Sequence, residues 1–161
     1  MGMVLKLTCG NITTDLNLAS GVNAGWRLEK WHPKVARVRY GEEPAPVVED
    51  MWFLVHEDTD DNLATAFQNM DEHAYWADAY MRDRTVEDPV WLQAQMTGET
   101  SARRALVHRI EYDWGSNQID SDGVIASKAE NVHVRITRGP YWGNTSARYL
   151  NSENIDAFGE L

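Results

Sequence analysis

Leu63, Ala66, Phe67, Met70, Ala74, Ala77 and Met81 fall at i, i+3, i+4, i+7, i+11, i+14 and i+18. That spacing draws one continuous stripe along a 3.6-residue period, which a strand cannot present on a single face. Asp61, Gln68, Asp71, Glu72 and Asp78 take the rest of the surface. Asp58 or Thr59 can cap the start, and Asp60 and Asp61 place carboxylates at the positive end of the helix dipole. Arg82 and Arg84 close the last turn with the opposite sign. The segment predicts a helix over about 60–83, roughly 35 Å long at 1.5 Å per residue. A helix with one apolar stripe needs a partner to bury it, and the rest of the chain supplies strands.

Val4 to Leu18 alternates weakly around Cys9-Gly10-Asn11 and predicts a short hairpin. Gly25 to Tyr40 is a second extended region, broken at Pro33, with Ala36, Val38 and Tyr40 alternating against Arg37 and Arg39. Residues 41–46 form a loop whose two prolines cannot donate to a ladder. Met51-Trp52-Phe53-Leu54-Val55 is apolar throughout, which predicts a central strand covered on both faces. After Pro89, Val90, Leu92, Ala94 and Met96 alternate with Trp91, Gln93 and Gln95. Ala105 to Trp114 follows, with Leu106, His108, Ile110 and Tyr112 expected on one side. A loop with turns around residues 115–117 and 120–123 leads to a last strand carrying Val132, Val134 and Ile136, ended by Gly139-Pro140-Tyr141-Trp142-Gly143. Short connections favour antiparallel pairing. The expected fold is α+β: an antiparallel β-sandwich or partly closed barrel flanked by one long amphipathic helix. The chain of 161 residues is read as a single domain over 4–143 with a C-terminal extension over 144–161, whose sequence lacks periodicity.

The net charge of −10 is local. Residues 1–50 hold six basic and six acidic residues, residues 51–100 two and eleven, and residues 101–161 seven and eight. A grip on phosphates needs clustered Lys and Arg, so the acidic middle argues against specific nucleic-acid binding. No apolar run is long enough to span a membrane, and Met1 to Gly10 shows no signal-peptide pattern. Gly2 has Lys6 where a myristoylation signal expects Ser or Thr. Synthesis in a cytosol is the expectation.

The sequence assigns no catalytic residue, no cofactor and no metal. No serine sits on a Gly-x-Ser-x-Gly turn. Cys9, the single cysteine, excludes an internal disulfide and reads as a structural thiol. His32, His56, His73, His108 and His133 form no metal-binding pair in sequence. His56, His108 and His133 all lie on predicted strands, and their convergence would make a zinc site; isolated strand histidines are the expected alternative. Asp58, Asp60 and Asn62 begin a calcium-loop pattern, but Leu63 and Asn69 stand where Gly and Glu are needed. Trp26, Trp31, Trp52, Trp76, Trp91, Trp114 and Trp142 divide among core, protein interface and carbohydrate platform, with Trp52 expected in the core.

The hairpin Leu5 to Leu16, the apolar strand and helix after it, and the terminal stretch Val134-Arg135-Ile136-Thr137-Arg138-Gly139-Pro140-Tyr141-Trp142 together resemble structural proteins of tailed bacteriophages and prophages, in particular tail-tube-like and distal-tail domains. The resemblance covers residues 4–143, and its most specific part is the Arg-Gly-Pro-Tyr-Trp stretch. It implies a β-sandwich with one helix that packs side by side into rings, six-fold as a rule, alongside other tail proteins. It implies a virion location after assembly in the host cytoplasm, and no enzymatic activity. The acidic segment would then face a lumen through which DNA slides. A carbohydrate-binding β-sandwich for host attachment is the alternative.

Overall fold

Gly10 turns the chain with φ +57, and a Cβ there would run into the Asp88 carboxylate, so the first hairpin closes where only glycine fits without strain. The hairpin joins β1 (Val4–Cys9) to β2 (Ile12–Asp15), with Cys9 opposite Ile12. The structure, a computed structural model, describes residues 3–18, 24–35, 41, 44–85, 88–113 and 128–144. The next elements are β3 (Gly25–Trp31), β4 (Val47–His56), α1 (Asp60–Arg82), β5 (Val90–Gln95), β6 (Arg103–Tyr112), β7 (Lys128–Arg138) and the two-residue β8 (Gly143–Asn144). The expected alternation of residues 36–40, the loop at 115–123 and the tail from 145 lie outside the described residues.

The strands form one antiparallel sheet in the order β2-β1-β5-β6-β7-β4-β3, with β8 added beside β6. With the single helix of the described residues this is an α+β fold that is mostly sheet. α1 runs over one face of the sheet. Its cap is Thr59, whose hydroxyl accepts from the Asn62 N–H at 3.1 Å, and Asp83 ends it. Leu63, Ala66, Phe67, Met70 and Ala77 are buried as the periodicity requires. They meet Leu5 and Leu7 of β1, Phe53 and Val55 of β4, Leu92 of β5 and Val134 and Ile136 of β7 in one core. Each fully buried side chain of this size contributes on the order of 1.5–3 kcal/mol. Trp26 meets Phe53 and Phe67 edge-on, with ring centroids 5.4 and 5.7 Å apart.

Three expectations are corrected. β4 is not covered on both faces: Met51, Phe53 and Val55 are buried, whereas Trp52, Leu54 and His56 are only half-buried on the opposite side. Trp52 is therefore outside the core. An unbroken apolar run does not reveal this, because alternation decides the inward face and both faces here are apolar. On β6 the buried set is Ala105, Val107 and Ile110, not Leu106 and His108. A bulge between Val107 and Arg109 inserts one residue and exchanges the faces, so only Ile110 and Tyr112 keep the expected side. Finally, β5 stops at Gln95 and leaves Met96 40% exposed instead of in the apolar row.

β6 also pairs differently along its length. Arg103 to Leu106 lie against β5, while Val107 to Tyr112 lie against β7. The bulge falls at this change of partner.

Candidate functional site

Strand alternation carries two charged side chains to the buried face. Glu49 is in phase with Met51, and Arg138 is in phase with Val134 and Ile136. Both are completely buried, and Arg138 Nε lies 3.7 Å from Glu49 Oε2. Burial pushes the Glu49 carboxyl above its ordinary range. The Lys34 N–H donating at 2.8 Å, the Arg138 charge and the Trp31 indole N–H donating at 3.2 Å oppose that shift. Arg138 donates to the Lys34 carbonyl at 2.6 Å and to the Gly139 carbonyl at 2.9 Å, and its guanidinium lies 4.8 Å from the Trp142 ring centroid. The Arg-Gly-Pro-Tyr-Trp stretch is thus a folding knot that ties β7, β4 and the segment after β3. The sequence showed the stretch but not its partner; the phase of Glu49 with Met51 was the available signal.

The opposite face of the sheet is uncovered by the helix. It carries Trp52, on which His133 stacks with centroids 4.7 Å apart and planes 10° apart, while Lys30 Nζ sits 5.0 Å from the same ring. Asp50 Oδ1 accepts from Arg135 Nε at 3.0 Å and meets His133 Nε2 at 2.8 Å, and Lys34 Nζ lies 3.9 Å from Oδ2. Burial works against ionisation of Asp50, but the bonds from Arg135 and His133 outweigh it and hold the carboxyl below its ordinary range. Further along, the Arg104 guanidinium lies 4.1 Å from the Trp91 ring centroid. Of the indoles that were candidates for a sugar platform, Trp52, Trp91 and Trp142 thus have a cation or an imidazole over the ring. Trp26 is buried, Trp31 and Trp76 are half-buried, and Trp114 lies outside the described residues.

The histidines do not converge. His133 stands opposite Trp52, and His56 is four positions further along β4, roughly 13 Å away at the rise of a strand. His108 lies at the β6 bulge beside Gly139, where burial and then the Arg84 charge lower its pKa. His32 is exposed after β3. Among the described residues no three His, Cys, Asp or Glu side chains are grouped to hold a metal ion. His73 is the unexpected one: it stands inside the apolar stripe, 1% exposed, with Nε2 2.8 Å from Thr14 Oγ1. Its buried Nδ1 has no hydrogen-bond partner among the described residues. Burial lowers its pKa, with the Glu72 charge opposing.

Cys9 is buried at the end of β1, and its thiol donates to the Asp88 carbonyl at 3.5 Å. Burial, with Asp88 and Glu72 adding to it, raises its pKa, the reverse of what a nucleophile needs. A hollow of about 270 Å³ lies beside it, lined by Gly10, Ile12, Glu72, Trp76 and Asp88. A second hollow, of about 340 Å³ between β2 and the start of α1, is lined by Thr14, Asp15, Trp26, Glu57, Asn62 and Asn69 among others. Burial and the neighbouring Asp58 raise the Glu57 pKa, with His56 opposing. Tyr112 bridges sheet and helix: it stacks on Phe67 at 5.7 Å and donates to Asp71 Oδ1 at 2.6 Å.

No helix of the described residues is long and apolar enough to cross a membrane. No family model, curated protein or solved structure matches the chain.

Proposed function

We propose that the chain is a non-enzymatic structural subunit of a bacteriophage or prophage tail, of the tail-tube-like or distal-tail kind. It assembles with copies of itself and with other tail proteins into rings or a tube, in the host cytoplasm and then in the virion. The observation that carries this is the open sheet. β2 and β3 end the strand order, and among the described residues each pairs on one side only. Their outer edges offer backbone donors and acceptors that a neighbouring subunit can complete. β3 carries a bulge after Leu28 and the charged Arg27, Glu29 and Lys30, so pairing there is restricted to a partner of matching register and charge. The change of partner at the β6 bulge supports a finer view of the sheet as two layers of a sandwich or partly closed barrel.

The terminal stretch adds support: the residues behind the resemblance, Arg138 and Trp142, serve to lock the fold. The carbohydrate-binding alternative has less behind it, because Trp52, Trp91 and Trp142 each carry a charged or imidazole neighbour over the ring. Native mass spectrometry and negative-stain electron microscopy of the purified chain test the proposal. Rings or tubes of a fixed subunit number are expected. A chain that stays monomeric at high concentration and binds glycans on an array overturns it in favour of attachment.

A further inference from the structure

β2 meets α1 through one hydrogen bond with a hollow at each end. Thr14 Oγ1 lies 2.8 Å from His73 Nε2. Toward Cys9, Ile12 lines the hollow of about 270 Å³ together with Glu72 and Trp76. Toward Asp15, Thr13 and Thr14 line the hollow of about 340 Å³ together with Asn62, Thr65 and Asn69. β2 is a four-residue end strand with no fully buried side chain, and among the described residues it pairs with β1 alone. A short edge element that buries little is where local opening costs least. His73 is the opposite case. It is 1% exposed, and its Nδ1 has no hydrogen-bond partner among the described residues. A neutral imidazole has one N–H and one bare nitrogen; the imidazolium has two N–H groups and a charge. Held under Thr14, the charged ring would keep an N–H at Nδ1 with no acceptor, which is costly in a buried site. Of the charged groups nearby, Glu72 on α1 favours the charged ring. Asp88 before β5 lines the first hollow beside Cys9, Asp15 and Glu57 line the second, and Lys6 of β1 stands opposite Asp15 in the ladder.

We infer that the Thr14–His73 contact is a pH-sensitive latch: β2 stays on α1 while the imidazole is neutral, and protonation of His73 releases β2, so that the ring meets water and the Glu72 carboxylate. The proton comes from solvent and goes to the bare ring nitrogen. Burial lowers the pKa of the latched ring, and release returns it toward the ordinary value of 6.5. The released form therefore takes up a proton that the latched form refuses. Release grows as pH falls below about 6.5 and is suppressed above it. β2 is an end strand, so the latch governs a sheet edge. The inference concerns the opening of one strand and holds or fails whether or not the chain assembles.

Amide hydrogen exchange on the full chain tests it, with rates corrected for the intrinsic effect of pH. The β2 amides that pair with β1 are expected to be less protected than those of β4 and β7, as separate release of β2 requires. Their protection is expected to fall by up to about tenfold between pH 7.5 and 5.5, because one proton is linked to the opening. His73→Gln and His73→Leu remove the titrating ring and are expected to flatten that dependence; the leucine suits the apolar surroundings where the glutamine fails to fold. Thr14→Val removes the hydrogen bond and keeps the shape, and is expected to lower β2 protection at pH 7.5 while that of β7 holds. The comparison within the parent needs no variant: β2 amides as protected as those of β7 at both pH values overturn the inference, because β2 then opens only with the whole fold. Protection of β2 that ignores pH, or that falls as far in a folded His73 variant as in the parent, overturns it too.

Discussion

Glu49 and Arg138 lie 3.7 Å apart with neither side chain reaching solvent. They reach this position from β4 and β7 because each occupies the inward phase of its strand. A buried ion pair is weak evidence for stability by itself, since desolving two charges offsets much of their attraction. Here the carboxylate also accepts from Lys34 N–H and Trp31, and the guanidinium donates to two backbone carbonyls. Removing one partner leaves the other charge buried and uncompensated. Glu49→Gln and Arg138→Met are each expected to cost about 3–5 kcal/mol in urea unfolding, while Glu49→Leu with Arg138→Met should recover a large part of that loss. A single-variant loss below about 1 kcal/mol would show that the pair is relieved by water.

His73 makes stability depend on pH. Its folded pKa lies below the ordinary value of 6.5 because burial disfavours the imidazolium. Below that ordinary value the unfolded chain takes up a proton that the folded chain refuses, so stability falls as pH falls from about 6.5 toward the folded pKa. The slope from one such group is at most about 1.4 kcal/mol per pH unit. His108 acts in the same direction. Urea midpoints between pH 7.5 and 5.5 should therefore fall more steeply for the parent than for His73→Gln. Equal slopes would mean that His73 is protonated without penalty.

How much of this was legible in the sequence depended on how many residues voted together. α1 was legible to within a residue, because the stripe from Leu63 to Ala77, the Thr59 cap and the closing arginines agree. The last strand was legible from Val132, Val134 and Ile136 alone. The β6 faces were not, because a single bulged residue near His108 reverses the alternation and leaves no mark in composition. Trp52 misled because its neighbours on both sides are apolar. Glu49 and Arg138 were readable by phase, but charged side chains are ordinarily placed outside unless a partner is known, and the partner lies far along the chain. His73 sits three residues after Met70 and four before Ala77, on the face of the stripe, but a stripe read from apolar residues leaves it out.

Tyr112 fastens α1 to the sheet by two separable means. Its ring lies parallel to Phe67 at 5.7 Å, and its hydroxyl donates to Asp71 at 2.6 Å with the Phe67 carbonyl 3.2 Å away. Burial, then the bond to Asp71 and its charge, raise the phenol pKa well above its ordinary range, so the hydroxyl keeps its proton. Tyr112→Phe should keep the stack and lose about 1–2 kcal/mol. Tyr112→Ala should lose about 3–5 kcal/mol, as for other large-to-small changes at packed aromatics. Chemical denaturation of both variants separates the two terms, and equal losses would assign the whole effect to the ring.

Gly10 offers a test of the first hairpin that leaves the core composition unchanged. Its φ of +57 is left-handed, and a Cβ there would overlap the Asp88 carboxylate. Gly98 also has a left-handed φ, of +91, but open space where its Cβ would go. Gly98→Ala should therefore carry backbone strain alone, about 1 kcal/mol or somewhat more, and Gly10→Ala should carry that strain plus the displacement of Asp88. Repeating Gly10→Ala in an Asp88→Ala background should bring its cost down to that of Gly98→Ala. The loop carrying Asp88 also accepts the Cys9 thiol, so the same displacement should speed Cys9 labelling by a disulfide reagent in the folded protein. If Gly10→Ala costs no more than Gly98→Ala while labelling stays slow, Asp88 does not press on the turn.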